Sequence, residues 1–345
     1  MLQFGIINAK QLDGIDSLNL NYFFCQSEYF ECNLARNNAL KVIFETKLKN
    51  KLARKQAEIP EVKIITLTTD MGVRDHYVAS VKGSILKQIP HAVIVDISHS
   101  VKPFDCAEAA FYVRSCFEDF PEGTVHVIGV DSEPMVNFSG SEGSFPSIME
   151  FKGHFFVSND NGFFGAFLNH EEPDSFYRID HILSSKELFK FPTKNLLIPA
   201  ACKLLNNVAI DSFASTFGSY KKAFALTAVI EPNLIKGNVI HIDAFGNLIT
   251  NIHESLFERY SSEIPYTVYF RNYYIDEISS TYNAVPSGEK VAVFNQNGLL
   301  EIAINRGANN SNGGAEKLFG VRIGDVIRVE FMPSGSRQTI ESLFA

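Results

Sequence analysis

Two carboxylates, Asp70 and Asp75, fall in the run ITLTTDMGVRD (65–75), where a β-branched apolar stretch gives way to a polar turn. The turn opens an amphipathic stretch from His76 to Gln88. A strand that turns into a helix delivers its loop to the carboxyl edge of a parallel sheet, where α/β proteins bind ligands. The turn has one glycine where a dinucleotide fingerprint needs three, and two acids would repel a phosphate. A carboxylate pair here suits sugar hydroxyls, an ammonium or a metal. Asp75 also sits well to cap the following helix, so for it capping and ligand contact weigh equally. Asp131 closes the run FPEGTVHVIGVD (120–131) at a second strand end and is followed by Ser132-Glu133-Pro134. Asp160-Asn161-Gly162 reads first as a turn, with polar side chains able to reach a ligand. In IDAFGNLITN (242–251) a strand breaks at Phe245-Gly246-Asn247 and resumes. An exposed aromatic face beside an amide is what a purine needs, a surface to stack on and a donor–acceptor pair for its edge. An ordinary bulge explains the break equally well.

These loops need elements to hold them. Strands are predicted at 62–69, 92–97 and 124–130 and helices at 76–88 and 106–119, the second opened by an Asp105-x-x-Glu108 capping pattern. A hairpin is expected over 147–158, a short helix after Gly162 and a last helix over 194–205. Near-continuous apolar strands alternating with helices argue for a mostly parallel sheet flanked by helices. Short strands follow at 238–243, 247–250, 266–271, 288–294, 299–304 and 325–332, without long helices between them. They predict a small antiparallel, barrel-like sheet. The expected organisation is an extension at 1–60, an α/β domain at 61–222 and a barrel-like domain at 223–345. The extension lacks periodicity and carries a basic run at 47–55, read as a solvated face, an unstructured segment or the product of a start codon assigned too far upstream.

Composition narrows the function classes. The chain has 345 residues and a net charge of −8, which disfavours a nucleic-acid partner. No apolar run reaches membrane-spanning length, so no membrane partner is expected and the cytoplasm is the default compartment. Five scattered cysteines lack C-x-x-C spacing, which supports neither zinc nor a disulfide framework. His126, on an apolar strand, reads as a satisfied core residue, while His76 and His99 adjoin strand-end loops. No nucleophile elbow, Walker loop or H-E-x-x-H pattern is present.

Six blocks in order resemble the S-adenosylmethionine (SAM) hydroxide adenosyltransferase family, which includes SAM-dependent fluorinase and chlorinase. They are ITLTTDMGxxDxYV, VDISHxVxPFD (95–105), 120–131, NDNG (159–162), IDAFGNLITNI (242–252) and NQNGLLEIAIN (295–305). The resemblance covers about Val62 to Glu330 and implies a homotrimer with SAM between the N-terminal domain of one subunit and the C-terminal domain of the next. It implies that Asp70 holds the ribose hydroxyls and that Asp75 and Asp243 lie near the methionine ammonium. Phe245 and Asn247 would face adenine, with the backbone at Asn305-Arg306 on its edge. Asn161 would belong to the substrate-binding loops, and Asn295-Gln296-Asn297 would lie by the methionine carboxylate. The implied reaction is attack by water or hydroxide on the ribose C5′, giving adenosine and methionine. SAM is then the substrate, and no cofactor or metal is expected.

The sequence departs from the family at the chemistry. Hydrolase members carry Asp-Pro-Gly-Val-Gly and a nearby Arg, whereas here Asp131, the expected catalytic residue, is followed by Ser-Glu-Pro-Met with no Arg before Lys152. The family's Phe-His-Gly-Arg-Asp segment aligns with Phe191-Pro192-Thr193-Lys194-Asn195, so its His is absent. His76, His99 or Glu133 are the candidate substitutes. The halogenases' Tyr/Thr loop is missing, and Asn297 stands where a halogenase has Arg. The leading expectation is a SAM hydrolase with a modified water-activating set. A SAM- or adenosine-binding protein without turnover is the second, and a metal-dependent hydrolase using Asp70, Asp75 and Asp131 the third.

Overall fold

Residues 64–69 are all apolar or threonine and, apart from Ile64, fully buried, which is what a strand covered on both faces requires. This strand, β1 (Ile64–Thr69), leads through a loop into α1 (Tyr77–Gln88), β2 (Val93–Ser98), α2 (Cys106–Arg114) and β3 (Val125–Gly129). The hairpin β4 (Pro146–Phe151) and β5 (His154–Asn159) follows, turned by Lys152 and Gly153, both at positive φ. Then come α3 (Phe163–Leu168), β6 (Ser175–Arg178), α4 (Ile198–Leu205) and the short β7 (Ser215–Thr216). The computed structural model describes residues 62–135, 143–180, 186–223, 226–260, 264–309 and 313–332. The expectations for residues 1–60 lie outside these.

The first sheet has the order β2-β1-β3-β5-β4-β6-β7. Its first four strands run parallel and the rest pair antiparallel. All four parallel strands therefore send their outgoing loops to one edge, including those that carry Asp70, His99, Asp131 and Asp160. Two cores cover the faces. Val81 and Ile85 of α1 pack with Leu204 and Leu205 of α4 on one side, and Ala109 and Val113 of α2 pack with Phe163, Phe164 and Phe167 of α3 on the other. Each fully buried Phe or Leu side chain contributes roughly 1.5–3 kcal/mol.

Two predicted helices differ in detail. The one expected to run to 119 ends at Arg114, with Ser115 Oγ and Cys116 Sγ donating back to the carbonyls of Phe111 and Tyr112. A single 3₁₀ turn then drives Phe117 into the aromatic core beside Phe156 and Phe167. The one expected from 194 begins as a π turn, Thr193–Leu197, before α4. Pro199 lacks the N–H that would bond the carbonyl four residues back, so the turn widens.

The second sheet is built from β8 (Val229–Glu231), β9 (Leu234–Ile242), β10 (Leu248–His253), β11 (Tyr266–Phe270), β12 (Tyr273–Ile275), β13 (Ile278–Ser279), β14 (Lys290–Phe294), β15 (Leu299–Ile304) and β16 (Val326–Phe331). The path β12-β11-β16-β9-β10-β15-β14-β13 is antiparallel except at its last pair and curls into a nearly closed barrel. Its interior holds Ile235, Val239, Leu248, Ile302 and Val329. The two sheets belong to one compact unit among the described residues and meet where α2 lies on β9. There the His241 ring packs against Phe111 and Tyr112, at centroid distances of 4.8 and 5.2 Å.

Candidate functional site

At the tip of β1 the Asp70 carboxylate accepts a hydrogen bond of 3.0 Å from the backbone N–H of Phe104. Phe104 is held at φ 67° and leaves its ring 73% exposed. The preceding Thr69 hydroxyl lies 2.8 Å from His99 Nδ1, and the His99 carbonyl accepts from Gly72 N–H at 2.7 Å. The other ring nitrogen of buried His99 sits 3.1 Å from Asp96 Oδ1, poorly aligned for a hydrogen bond, and Asp96 is paired with Lys82. This chain of groups fixes the loop that presents Asp70. Asp75 is exposed. The helix cap falls on His76 without a side-chain bond, so the capping role open to Asp75 is not realised.

Asp131 stands at φ 44°, a left-handed conformation that is uncommon outside glycine and is visited mostly by Asn, Asp and His. Neighbouring side chains hold it there. Its carbonyl accepts from Asn161 Nδ2 at 2.9 Å and Asn159 Nδ2 at 3.4 Å, and Asn159 also reaches the Glu133 carbonyl at 3.1 Å. Ser132 Oγ accepts from Thr193 Oγ1 at 2.9 Å, so the 191–195 segment does meet the loop after β3. Thr193 packs so closely on Gly129 that a methyl added there would lie 2.6 Å from its Cγ2. Asn161 thus serves the backbone of Asp131 with its amide, while Asp160 is occupied by the backbone N–H of Lys221 at 3.0 and 3.1 Å. Burial pushes the Asp160 carboxyl up. Burial, and then the carboxylates of Asp131, Asp105 and Asp70, pushes the Cys106 thiol up to about 12, which places all three acids around the start of α2. Among the described residues Asp70, Asp75 and Asp131 form no three-ligand metal group.

The barrel supplies a second group. Asp243 Oδ1 accepts from the N–H groups of Phe245 and Asn247 at 2.9 and 2.8 Å, and Oδ2 accepts from Asn247 Nδ2 at 3.1 Å. Gly246, at φ 85°, makes the turn possible and leaves the Phe245 ring 60% exposed beside nearly buried Asn247. The loop after β15 is tied to the same turn by Asn309 N–H, which donates to the Phe245 carbonyl at 3.1 Å. It begins with Asn305, whose amide bonds the Val285 carbonyl at 2.7 Å, and Arg306, at φ 57°.

A cleft of about 600 Å³ opens next to this turn. Asp243, Tyr282, Asn295, Gln296, Asn297 and Glu301 line it, together with Phe111 of α2, Ser115 just after it and His241 of β9. Four residues singled out in the sequence, Asp243 and Asn295 to Asn297, therefore share one cavity. Glu301, Tyr282 and His241 were missed. Glu301 is buried, accepting from Tyr282 OH at 2.7 Å and from Asn295 Nδ2 at 3.3 Å. Burial raises its carboxyl, and burial together with Glu301 raises the Tyr282 phenol. Burial lowers the His241 ring against the opposing pull of Glu108 and Asp243. The signal for Glu301 was present, a lone carboxylate inside the apolar strand LLEIAI.

The arrangement offers an acid for vicinal hydroxyls at a strand tip, an exposed ring with an amide for a base, and an acidic cleft for a cationic chain. Family models for the SAM hydroxide adenosyltransferase N-terminal and C-terminal domains match residues 65–214 and 237–328. The (R)-S-adenosyl-L-methionine hydrolase of Methanocaldococcus jannaschii is 30% identical over 252 residues, covering 70% of this chain and 88% of that protein. A fluorinase of Actinoplanes is 25% identical over 284 residues, covering 70% and 91%. The crystal structure of an uncharacterized conserved protein from Thermotoga maritima superposes with a TM-score of 0.66 at 26% identity, covering 77% of this chain and 99% of that one.

Proposed function

The chain belongs to the SAM hydroxide adenosyltransferase family, and from that premise we propose that it binds SAM and directs water or hydroxide onto the ribose C5′, releasing adenosine and L-methionine. The observation that carries this reading is the convergence of Asp243, Asn295, Gln296 and Asn297 on one cleft beside exposed Phe245. The cleft takes the amino-acid chain, Phe245 and Asn247 take adenine with the 305–306 backbone at its edge, and Asp70 takes the ribose. Asp131 is the remaining member of the family's catalytic set and is the group that orients or deprotonates the nucleophile. The sulfonium leaves as a neutral thioether, so the protein's task is in-line alignment, partial desolvation and proton removal, without a metal.

Asp70 and Asp131 are held at strand tips of the first sheet, and Asp243 and Asn247 in one turn of the barrel. Each half leaves apolar side chains in solvent, Val73 at 77% and Phe104 on one side and Phe245 on the other. These exposed groups support contact with a neighbouring copy, and the family resemblance makes that assembly a homotrimer in which the strand-tip half of one subunit closes on the barrel half of the next.

A second reading, a SAM- or adenosine-binding protein without turnover, is favoured by one specific feature. Where the family places its His this chain has Pro192, and the adjoining buried Thr193 meets Ser132. Incubating the protein with SAM, with and without EDTA, and following adenosine by chromatography separates the readings. EDTA-insensitive adenosine release supports hydrolysis, saturable binding without release supports the second reading, and activity abolished by EDTA would contradict both.

A further inference from the structure

The cleft beside Asp243 carries two carboxylates, and its basic side chain is the His241 ring, which burial holds below the usual imidazole range. Among the described residues its lining contains the carboxylates of Asp243 and Glu301 but neither Lys nor Arg. The ammonium of Lys102, which bears on His241, lies 3.8 Å from Glu108 and outside the lining. A substrate carboxylate is ordinarily held by a cation or by a nest of free backbone N–H groups. The 295–299 turn has little of the latter to give. The N–H groups of Asn295 and Gly298 donate to the carbonyls of Leu299 and Asn295 at 3.0 and 2.8 Å. Those of Asn297 and Leu299 donate to Asn295 Oδ1 at 3.0 and 3.1 Å. What faces a carboxylate is then neutral donors, the side-chain amides of Gln296 and Asn297 and the hydroxyls of Ser115, Ser280 and Thr281. An ammonium fares differently. Asp243 uses three of about four acceptor positions internally, and Glu301 offers a second buried carboxylate that an incoming cation would favour in its ionised form.

We infer that the amino-acid end of this site recognises the ammonium and not the carboxylate, so that a sulfonium nucleoside bearing a bare aminoalkyl chain is a ligand at least as good as SAM. The inference rests on the proposed SAM-binding function and narrows its substrate class to cationic aminoalkyl sulfonium nucleosides, carboxylated or not. A carboxylate placed between Asp243 and Glu301 meets like charge that no Lys or Arg of this cleft offsets, and its removal relieves that repulsion.

Calorimetric titration of the full-length protein with SAM, decarboxylated SAM, 5′-methylthioadenosine and adenosine tests it. Decarboxylated SAM is expected to bind within about threefold of SAM or more tightly, and methylthioadenosine, which carries no charge on its chain, more than about threefold more weakly than either. Asn297→Arg, which supplies the missing cation, is expected to shift the preference towards SAM. A wild-type preference for SAM beyond about threefold, or methylthioadenosine binding as well as the charged ligands, overturns the inference while leaving the SAM site standing. Failure of all four ligands to bind, adenosine included, overturns the underlying reading and this one together.

Discussion

Asp70 carries the most specific claim about a single side chain. Its carboxylate is anchored by one backbone N–H and otherwise open, at the tip of a fully covered strand. Replacing it by Ala should weaken adenosine binding at least about tenfold, about 1.4 kcal/mol, by calorimetry, and an unchanged affinity would remove it from the ribose role. His126 makes a different prediction. Burial, with a smaller push from His154, holds its ring down to about 3, whereas an unfolded chain would titrate it near 6.5. Between these values the unfolded state binds a proton that the folded state refuses. Its contribution to stability is therefore complete above about pH 6.5 and is lost as pH falls. The melting temperature should drop between pH 7 and 5, and less steeply in His126→Asn, where no ring titrates. Residue types announced Asp70, Asp131, Phe245 and Asn247 because each stood at a break in a periodic pattern. Glu301 was marked only by its place as a lone carboxylate in an apolar strand, and Tyr282 not at all, because their pairing joins a 3₁₀ turn to a strand 19 residues later and only the folded barrel brings them together.

At the scale of elements, the Phe245-Gly246-Asn247 break is held by its glycine. A Cβ at Gly246 would lie 2.3 Å from Asn309 Oδ1 on a backbone already at positive φ. Gly246→Ala should shift the turn that presents Phe245, raising the Kd for adenosine at least about tenfold and costing about 1 kcal/mol or more of stability in urea titration. The long elements were legible in the sequence because their periodicity is set by burial. The strands predicted at 62–69, 92–97 and 124–130 are observed at Ile64–Thr69, Val93–Ser98 and Val125–Gly129. Short strands at or next to the sheet ends, such as β6, β7, β12 and β13, were not, since two to four residues carry too little pattern. The capping pattern at α2 was half right. Asp105 accepts from Glu108 N–H at 2.9 Å, but the Glu108 carboxylate reaches past the cap to Lys102 N–H.

At the scale of the molecule, the proposed trimer draws the two halves of each site from different subunits. If each site is completed by a neighbouring subunit, Asp70→Ala and Asp243→Ala chains mixed after unfolding and refolding should regain binding in about a quarter of the sites, as random trimers require. No recovery, or a monomer by light scattering, would place the whole site within one chain. The α/β-then-barrel order was readable because one half alternates long helices with apolar strands and the other does not. The way α2 lies on β9 was not, because contacts such as Phe111 against His241 link segments 130 residues apart.

The most direct test of displacement at C5′ is turnover of SAM in ¹⁸O-labelled water, read by mass spectrometry of both products. The label is expected in the 5′-hydroxyl of adenosine and absent from methionine. Unlabelled adenosine, or no adenosine at all, would contradict the account.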